Sequence, residues 1–194
     1  MDKKDTKSTT PLFSHWLINF FKIIGVAALT LTVIPSYADY SQTEYQLKAR
    51  FLYNIAKMVR WPQDELKDGK TALTFCFLGK DVFGTHLNSI KNKEFNKSKV
   101  AIKRNIGLGN ELKSCHMLFI SESERSSLTR IFSILNNLPI LTVSDMEGFA
   151  TQGGMVTLAK EEKKVKMVVN LQATRDTTLD ISSRLLSVAK VLKK

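Results

Sequence analysis

The chain has 194 residues, of which 29 are Lys or Arg and 18 are Asp or Glu, so its formal net charge is +11 at pH 7. No linker, internal repeat or low-complexity tract divides it, which argues against a multidomain protein. In the cytoplasm so basic a charge would favour nucleic acid as the partner. The amino-terminal residues indicate a compartment other than the cytoplasm and therefore argue against a nucleic-acid-binding protein.

The first 38 residues have the pattern of a signal peptide. The basic leader contains four lysines, Lys3, Lys4, Lys7 and Lys22. The apolar run at residues 23–33 is about half as long as a helix that crosses a bilayer, so a membrane anchor is the weaker interpretation. Small residues at Ser36 and Ala38 suit a cleavage site. We expect cleavage after Ala38 and export of one mature domain, residues 39–194.

Export changes the set of candidate partners. Without the leader, 25 basic and 16 acidic residues remain, so the mature domain has a charge of about +9 and is still basic. Outside the cytoplasm the available polyanions are lipid head groups, wall polymers and acidic protein surfaces.

The first predicted element of the mature chain is a helix that begins at Ser41 and runs to about Arg60. Ser41 and Glu44 have the spacing of a capping box. Trp61 and Pro62 end the helix, because the residue before a proline avoids helical geometry.

Lys48 is the unusual cation of this helix. About half of the helical circumference is apolar, as in a helix that lies on a core. Arg50, Lys57 and Arg60 project on the opposite side, whereas Lys48 projects near the middle of the apolar arc. Its side chain could extend past the helix end and keep its ammonium in water, which is the interpretation we favour. Alternatively, it could be buried against a carboxylate or backbone carbonyls at a structural or binding site.

Apolar runs of strand length alternate with helical segments along the rest of the chain. We expect strands at residues 72–78, 100–104, 115–120, 139–143, 155–159 and 165–169, and helices at 81–90, from Ser121 through Leu135, and at 179–192. The last two strands are too close for a crossover helix and should form an antiparallel hairpin. This order predicts an α/β fold: a three-layer sandwich with a mostly parallel six-stranded sheet, an antiparallel carboxyl-terminal hairpin and helices on both faces.

The two cysteines, Cys76 and Cys115, both lie in the mature chain. An even number of cysteines in an oxidising compartment favours a disulfide. Neither belongs to a CxxC motif, and His116 would point to the other face of a strand that contains Cys115. Two free buried thiols, a nucleophilic thiol and a metal site remain as alternatives.

No constellation of residues suits catalysis. The mature sequence has two histidines, His86 and His116, and no GxSxG or HExxH motif. We interpret His86 as an exposed or hydrogen-bonded side chain and His116 as a residue of the sheet. We therefore expect no catalytic residue, no metal ligand and no cofactor.

Two places could contact a partner or a second subunit. The loop at residues 145–152 carries Phe149, which could be an apolar anchor or could fold back as a lid on the core. Trp61, with Arg60 beside it, presents the same ambiguity at the end of the first helix. Gly153 and Gly154 are explained by backbone geometry at a sheet edge, or form a flexible rim around a binding surface.

The chain resembles the YfiR/HmsC family of small exported bacterial proteins over nearly all of its mature sequence. The resemblance rests on the order and spacing of five segments, YQLKARFLYNIAKMVRWP, LTFCFLGKDVFG, CHMLFIS, LTVSDMEGFATQGGMVTL and VVNLQATRDTTLDISSRLLSVAK. Thr178 departs from the pattern, which has Gly before the final helix.

The resemblance implies a periplasmic regulator without catalysis of its own. The best-known family members bind the periplasmic region of an inner-membrane diguanylate cyclase and hold it inactive, which lowers cyclic-di-GMP and restrains biofilm formation. An outer-membrane lipoprotein can in turn sequester the regulator. Family proteins tend to be homodimers and to contain disulfides. Cys76 and Cys115 match one family pair, and the chain has no cysteines for a second.

A function of a different class is also compatible with the predicted fold. A periplasmic small-ligand receptor would use the crevice at the carboxyl ends of the parallel strands, where open α/β sheets usually bind ligands. A roomy pocket there, lined by polar groups, would favour this alternative.

Overall fold

A long helix, α1, spans Tyr37–Ala56 at the start of the described chain. The computed structural model describes residues 37–62, 66, 71–161 and 164–192. Residues 1–36, and with them nearly all of the expected signal peptide, lie outside these ranges. The chain divides after Tyr37, and residues Ala38–Lys194 form one compact unit.

Helix α1 differs from its prediction at both ends. It begins before Ser41, so Ser41 lies inside the helix and does not cap it. It ends at Ala56 because the next turn tightens, with the Met58 amide donating to the Ile55 carbonyl at 2.9 Å. Val59, expected to be helical, instead joins a short strand.

The strands form one large sheet and one small one. The large sheet contains β2 (Leu73–Leu78), β3 (Glu94–Phe95), β4 (Ser98–Lys103), β5 (Met117–Ile120), β6 (Leu141–Ser144), β7 (Val156–Glu161), β8 (Lys164–Asn170) and β10 (Lys190–Leu192). The small sheet pairs β1 (Val59–Arg60) with β9 (Asp180–Ile181) in antiparallel orientation.

The large sheet has the strand order β10-β8-β7-β6-β5-β2-β4-β3. Its strands are parallel to their neighbours except in two antiparallel pairs, β7 with β8 and β3 with β4. The predicted α/β class and carboxyl-terminal hairpin are therefore confirmed. The predicted number of six strands is wrong, because β3 and β10 add one short strand at each edge. Strands of two and three residues are too short to leave an apolar run in the sequence.

The side chains of the central strands alternate between two hydrophobic cores, one on each face of the large sheet. Phe75 and Phe77 of β2 belong to the cluster that helix α1 covers, whereas Cys76 and Leu78 belong to a cluster on the other face. The latter is covered by helix α2, Leu128–Leu135, which buries Leu128, Ile131 and Leu135. Successive strand residues point to opposite faces, so a run that is buried throughout requires a helix layer on each side.

Two other predicted helices are replaced by shorter elements. Residues 81–90 contain a 3-10 helix, Gly84–Ser89. The carboxyl-terminal segment has the short helices α3 (Leu171–Arg175) and α4 (Ser183–Ser187), with β9 between them and β10 at the end. The apolar spacing of residues 179–192 suits a helix, but Ile181 pairs with Val59 and Val191 pairs with Val169.

Candidate functional site

Lys48 lies at the centre of a buried ionic network. Its side chain is 3% exposed, and its Nζ lies 2.8 Å from Asp145 Oδ2 and 2.5 Å from Glu44 Oε1. The same Asp145 oxygen accepts a hydrogen bond from the Tyr45 hydroxyl at 3.0 Å. Lys160 closes the network, with its Nζ 3.2 Å from the second oxygen of Glu44.

Three separate parts of the fold supply these groups. Glu44 and Lys48 are one turn apart on α1, Asp145 directly follows β6, and Lys160 lies near the end of β7. The network therefore ties the middle of α1 to the carboxyl edge of the parallel strands. This arrangement corrects the favoured interpretation of Lys48: its ammonium does not reach water but is held by two carboxylates.

The charges of the network affect proton binding. Burial acts to raise the pKa of Glu44, but hydrogen bonds and charge attraction from Lys48 and Lys160 outweigh it, and the pKa lies below its ordinary value. Burial raises the pKa of Tyr45 well above its ordinary value, and the adjacent Asp145 and Glu44 raise it further. Glu44 is thus held ionised and Tyr45 neutral.

Sequence reasoning identified Lys48 but not its partners. A cation in an apolar arc requires a counterion when it is buried. Asp145 could have been proposed as the counterion, because it is an acidic residue directly after a buried strand. Such residues lie together at the carboxyl edge of a parallel sheet.

Phe149 lies in the core. Its ring is fully buried and packs against Phe132 with ring centroids 5.7 Å apart. A side chain on Gly154 would overlap the Phe149 ring, and Gly153 has φ +111°, a region that favours glycine. Of the two interpretations of Phe149, the structure shows the lid on the core and not the exposed anchor. Both glycines have a structural reason.

Arg60 and Trp61 form an exposed corner at the end of α1. The Arg60 side chain is 79% exposed and lies 3.0 Å from Asp180 across the small sheet. The Trp61 indole is half-buried, donates to the Ala56 carbonyl at 3.3 Å and stacks edge-on against the His116 ring. Both residues border an open cleft of about 530 Å³. Of the candidate partner contacts, Arg60, Trp61 and Gly153 are accessible, whereas Phe149 and Gly154 are buried.

The cysteines are joined. Cys76 of β2 and Cys115, which precedes β5, form a disulfide with a Cα–Cα distance of 5.8 Å. Both belong to the core cluster beneath α2. The bridge fastens two neighbouring strands on the face opposite α1.

Three clefts lie at the amino ends of parallel strands. The first, about 470 Å³, is bordered by Thr142 of β6 and Met155 before β7, and the second, about 160 Å³, by His116 before β5. The third is the cleft beside Trp61, near the start of β4. These positions are opposite to the carboxyl-end crevice that the ligand-receptor alternative expects, where the Lys48 network lies.

The two histidines within the described ranges, His86 and His116, have separate surroundings. His116 is buried, and its Nδ1 accepts a hydrogen bond from the Thr74 amide at 3.1 Å. His86 is half-buried in the 3-10 helix Gly84–Ser89. Within the described ranges, no group of three or more His, Cys, Asp and Glu side chains could hold a metal ion. None of the helices in those ranges combines the length and apolarity needed to span a membrane.

Comparison with known proteins identifies a family. The family model described as YfiR/HmsC-like matches residues 45–190, which extends from α1 to the first residue of β10. No curated protein sequence matches the chain significantly.

Proposed function

Because the chain belongs to the YfiR/HmsC-like family, we propose that it is a non-enzymatic periplasmic regulator of an inner-membrane diguanylate cyclase. In this proposal the domain binds the periplasmic region of the cyclase and represses it. Repression lowers cyclic-di-GMP and restrains biofilm formation.

The observation that carries the proposal is the family match over residues 45–190. Proteins of this family are periplasmic regulators rather than catalysts. The match includes nearly every element of the described fold, so it concerns the whole domain and not one motif. A regulator of this kind acts through its surface. The buried polar groups of the Lys48 network are bonded to one another, so they have a structural role that is compatible with this proposal.

Within the proposal, the corner of Arg60 and Trp61 is the surface that contacts the cyclase. Arg and Trp are enriched among the residues that dominate binding energy at protein interfaces. Arg60 is exposed, and Trp61 borders the open cleft near the start of β4. Phe149 and Gly154 are buried and therefore offer no surface to the cyclase.

The genetic test is deletion of the gene. We expect cyclic-di-GMP to rise in a strain that expresses the cognate membrane cyclase, and no rise when that cyclase is also deleted. An unchanged cyclic-di-GMP level in a strain that expresses the cyclase would contradict the proposal.

The surface test compares two charge reversals. Arg60→Glu should weaken capture of the purified periplasmic region of the cyclase, while Arg130→Glu, at an exposed position of α2, should not. An exposed ion pair contributes only about 0.2–1 kcal/mol to stability, so loss of the Asp180 pair should leave the fold intact. Equal capture of both variants would refute the role of this corner.

Two assembly states complete the proposal. We propose that the domain forms a homodimer and that an outer-membrane lipoprotein sequesters it from the cyclase. Sedimentation equilibrium of the mature domain tests the dimer. Co-purification from detergent-solubilised envelopes, with and without the cyclase, tests the lipoprotein.

A further inference from the structure

The edge of the sheet farthest from β10 carries a dense group of lysines. Strands β3 and β4 form an antiparallel hairpin, and residues 91–103 contain five lysines and one carboxylate, Glu94. Helix α1 is followed by a further lysine on the same side of the molecule. Together they form the basic edge, defined as Lys57, Lys91, Lys93, Lys97, Lys99 and Lys103, and all six residues are exposed.

The basic edge is not neutralised by neighbouring acids. Within the described ranges, none of its six lysines forms an ion pair. The next residue in sequence, Arg104, differs in this respect because it pairs with Asp81. Lys103 donates a hydrogen bond to the Ser114 hydroxyl at 2.8 Å, which leaves its charge in place.

Lysines of both sheet faces belong to the basic edge. Val100 is buried in the cluster beneath α1, so its neighbour Lys99 projects from the opposite face. On the α1 side, the Tyr53 ring lies between two ammonium groups, Lys93 Nζ at 5.0 Å and Lys57 Nζ at 5.5 Å from its centroid. The Tyr53 hydroxyl donates to the Glu94 carbonyl at 2.7 Å, which fixes the hairpin to α1. The basic edge therefore presents positive charge on both faces of the hairpin.

Protection of the sheet edge does not account for all of this charge. Lysines on an edge strand discourage pairing with another chain. Lys91 and Lys97, however, lie in turns, outside the paired residues of β3 and β4. Protection of a strand edge therefore gives no reason for the charge of these two lysines.

We propose that the basic edge binds an anionic lipid surface. Lysines near such a surface attract it without a defined pocket, and each contributes about 1 kcal/mol, roughly fivefold in binding. A protein interface would be expected to offer aromatic or Arg anchors at its centre. Strands β3 and β4 offer none, because they contain no Arg and their aromatic residue, Phe95, is buried.

The inference rests on the proposed periplasmic location, since an exported domain near a membrane cyclase meets phospholipid head groups. Binding to lipid would hold the domain in the plane where that cyclase lies. Lipid binding itself needs no cyclase, so the two proposals can fail separately.

The experiment is co-sedimentation of the purified mature domain with vesicles. We expect binding to vesicles that contain phosphatidylglycerol, little binding to pure phosphatidylcholine, and loss of binding as salt rises from about 0.01 M to about 1 M, because the Debye length falls from about 30 Å to 3 Å. Equal binding to both vesicle types would overturn the proposal.

A matched pair of double variants locates the surface. Lys91→Glu with Lys97→Glu should weaken binding about 25-fold or more. Lys164→Glu with Lys190→Glu makes the same change of charge at exposed positions near the other edge and should weaken binding far less. Equal loss in both would show that net charge alone matters and would refute the basic edge.

Two further measurements separate folding and partner effects. Thermal unfolding should give similar midpoints for the hairpin double variant and the wild type, because neither lysine makes an ion pair within the described ranges. If the variant binds vesicles normally but loses capture of the periplasmic region of the cyclase, the basic edge contacts an acidic protein and the lipid proposal is wrong.

Discussion

Lys48 and Asp145 are joined by a partly buried 2.8 Å hydrogen bond that links α1 to the residue after β6. The pair is 97 positions apart in sequence and connects the layer of α1 to the large sheet. Its position gives the amino-terminal helix a fixed place on the sheet.

Removal of Lys48 should therefore be costly. Lys48→Met leaves Asp145 and Glu44 partly buried without their shared cation, and we expect a loss of about 3–5 kcal/mol in the free energy of unfolding. Guanidinium denaturation measures this loss. Lys164→Met, at an exposed position, is the control and should change stability by less than about 0.5 kcal/mol.

A double variant tests whether the loss is due to the pair itself. Asp145→Leu in the Lys48→Met background removes the orphaned carboxylate and should restore part of the stability, since the two residues are directly bonded. Additive losses in the double variant would show that the two groups do not interact energetically.

Stability should fall on the acid side. The pKa of Glu44 lies below its ordinary 4.5, and the pKa of Asp81 lies below its ordinary 3.8 because backbone amides and Arg104 outweigh the effect of burial. The unfolded chain binds protons first as pH falls, so this stability is present above the ordinary values and is lost as pH falls through the lowered ones. Unfolding midpoints between about pH 7 and pH 3 measure the loss. Glu44→Gln should show a shallower decline than the wild type.

Stability should also fall on the alkaline side. The pKa of Tyr45 is raised by burial and by Asp145, so the unfolded state loses its phenolic proton first. The contribution of Tyr45 is complete below its ordinary value of 10.0 and declines as pH rises above it. Denaturation at increasing alkaline pH should show a smaller decline for Tyr45→Phe, and an identical decline would contradict the assignment.

The disulfide should contribute strongly to stability. Cys76 and Cys115 enclose a loop with a sequence separation of 39, for which the chain-entropy model gives about 4 kcal/mol. Replacement of both cysteines by Ala should lower the free energy of unfolding by about this amount, and a reductant should then have no further effect. Non-reducing mass analysis should find the wild-type chain without its thiol hydrogens.

Gly154 should not tolerate a side chain. Gly154→Ala places a methyl group against the buried Phe149 ring, and we expect a destabilisation of about 1–3 kcal/mol. Gly107→Ala is the control, because a side chain there meets no atom within 4 Å. If both variants unfold at the same denaturant concentration, the proposed packing of Phe149 against Gly154 is wrong.

The central strands could be predicted because both of their faces are buried. The residues of β2 are all buried, and they leave an uninterrupted apolar run in the sequence. Strand β10 could not be predicted in the same way, because the Lys190-Val191-Leu192 segment is only partly buried and its pairing with β8 is set by the tertiary fold. The helical spacing of Leu185 and Val188 was misleading, since Val188 is 66% exposed.

At the candidate sites, too, some features could be predicted from the sequence and others depend on tertiary packing. The position of Lys48 in an apolar arc could be read from the helical period, but its two carboxylate partners depend on long-range packing. Phe149 shows the opposite case: a large apolar residue in a loop can point in either direction, and only packing against Phe132 and Gly154 decides that it points inward.

The Lys48–Asp145 bond also has a consequence for how the chain acquires its structure. Helix α1 is the first described element to be synthesised, yet Asp145, one of the two carboxylates that hold Lys48, is made 97 residues later. Contacts of such long range form late, because the intervening chain must first be closed into a loop. Until β6 emerges, Lys48 has Glu44 of its own helix but not Asp145, so a wrong apolar site would bury this cation with one of its two carboxylates missing.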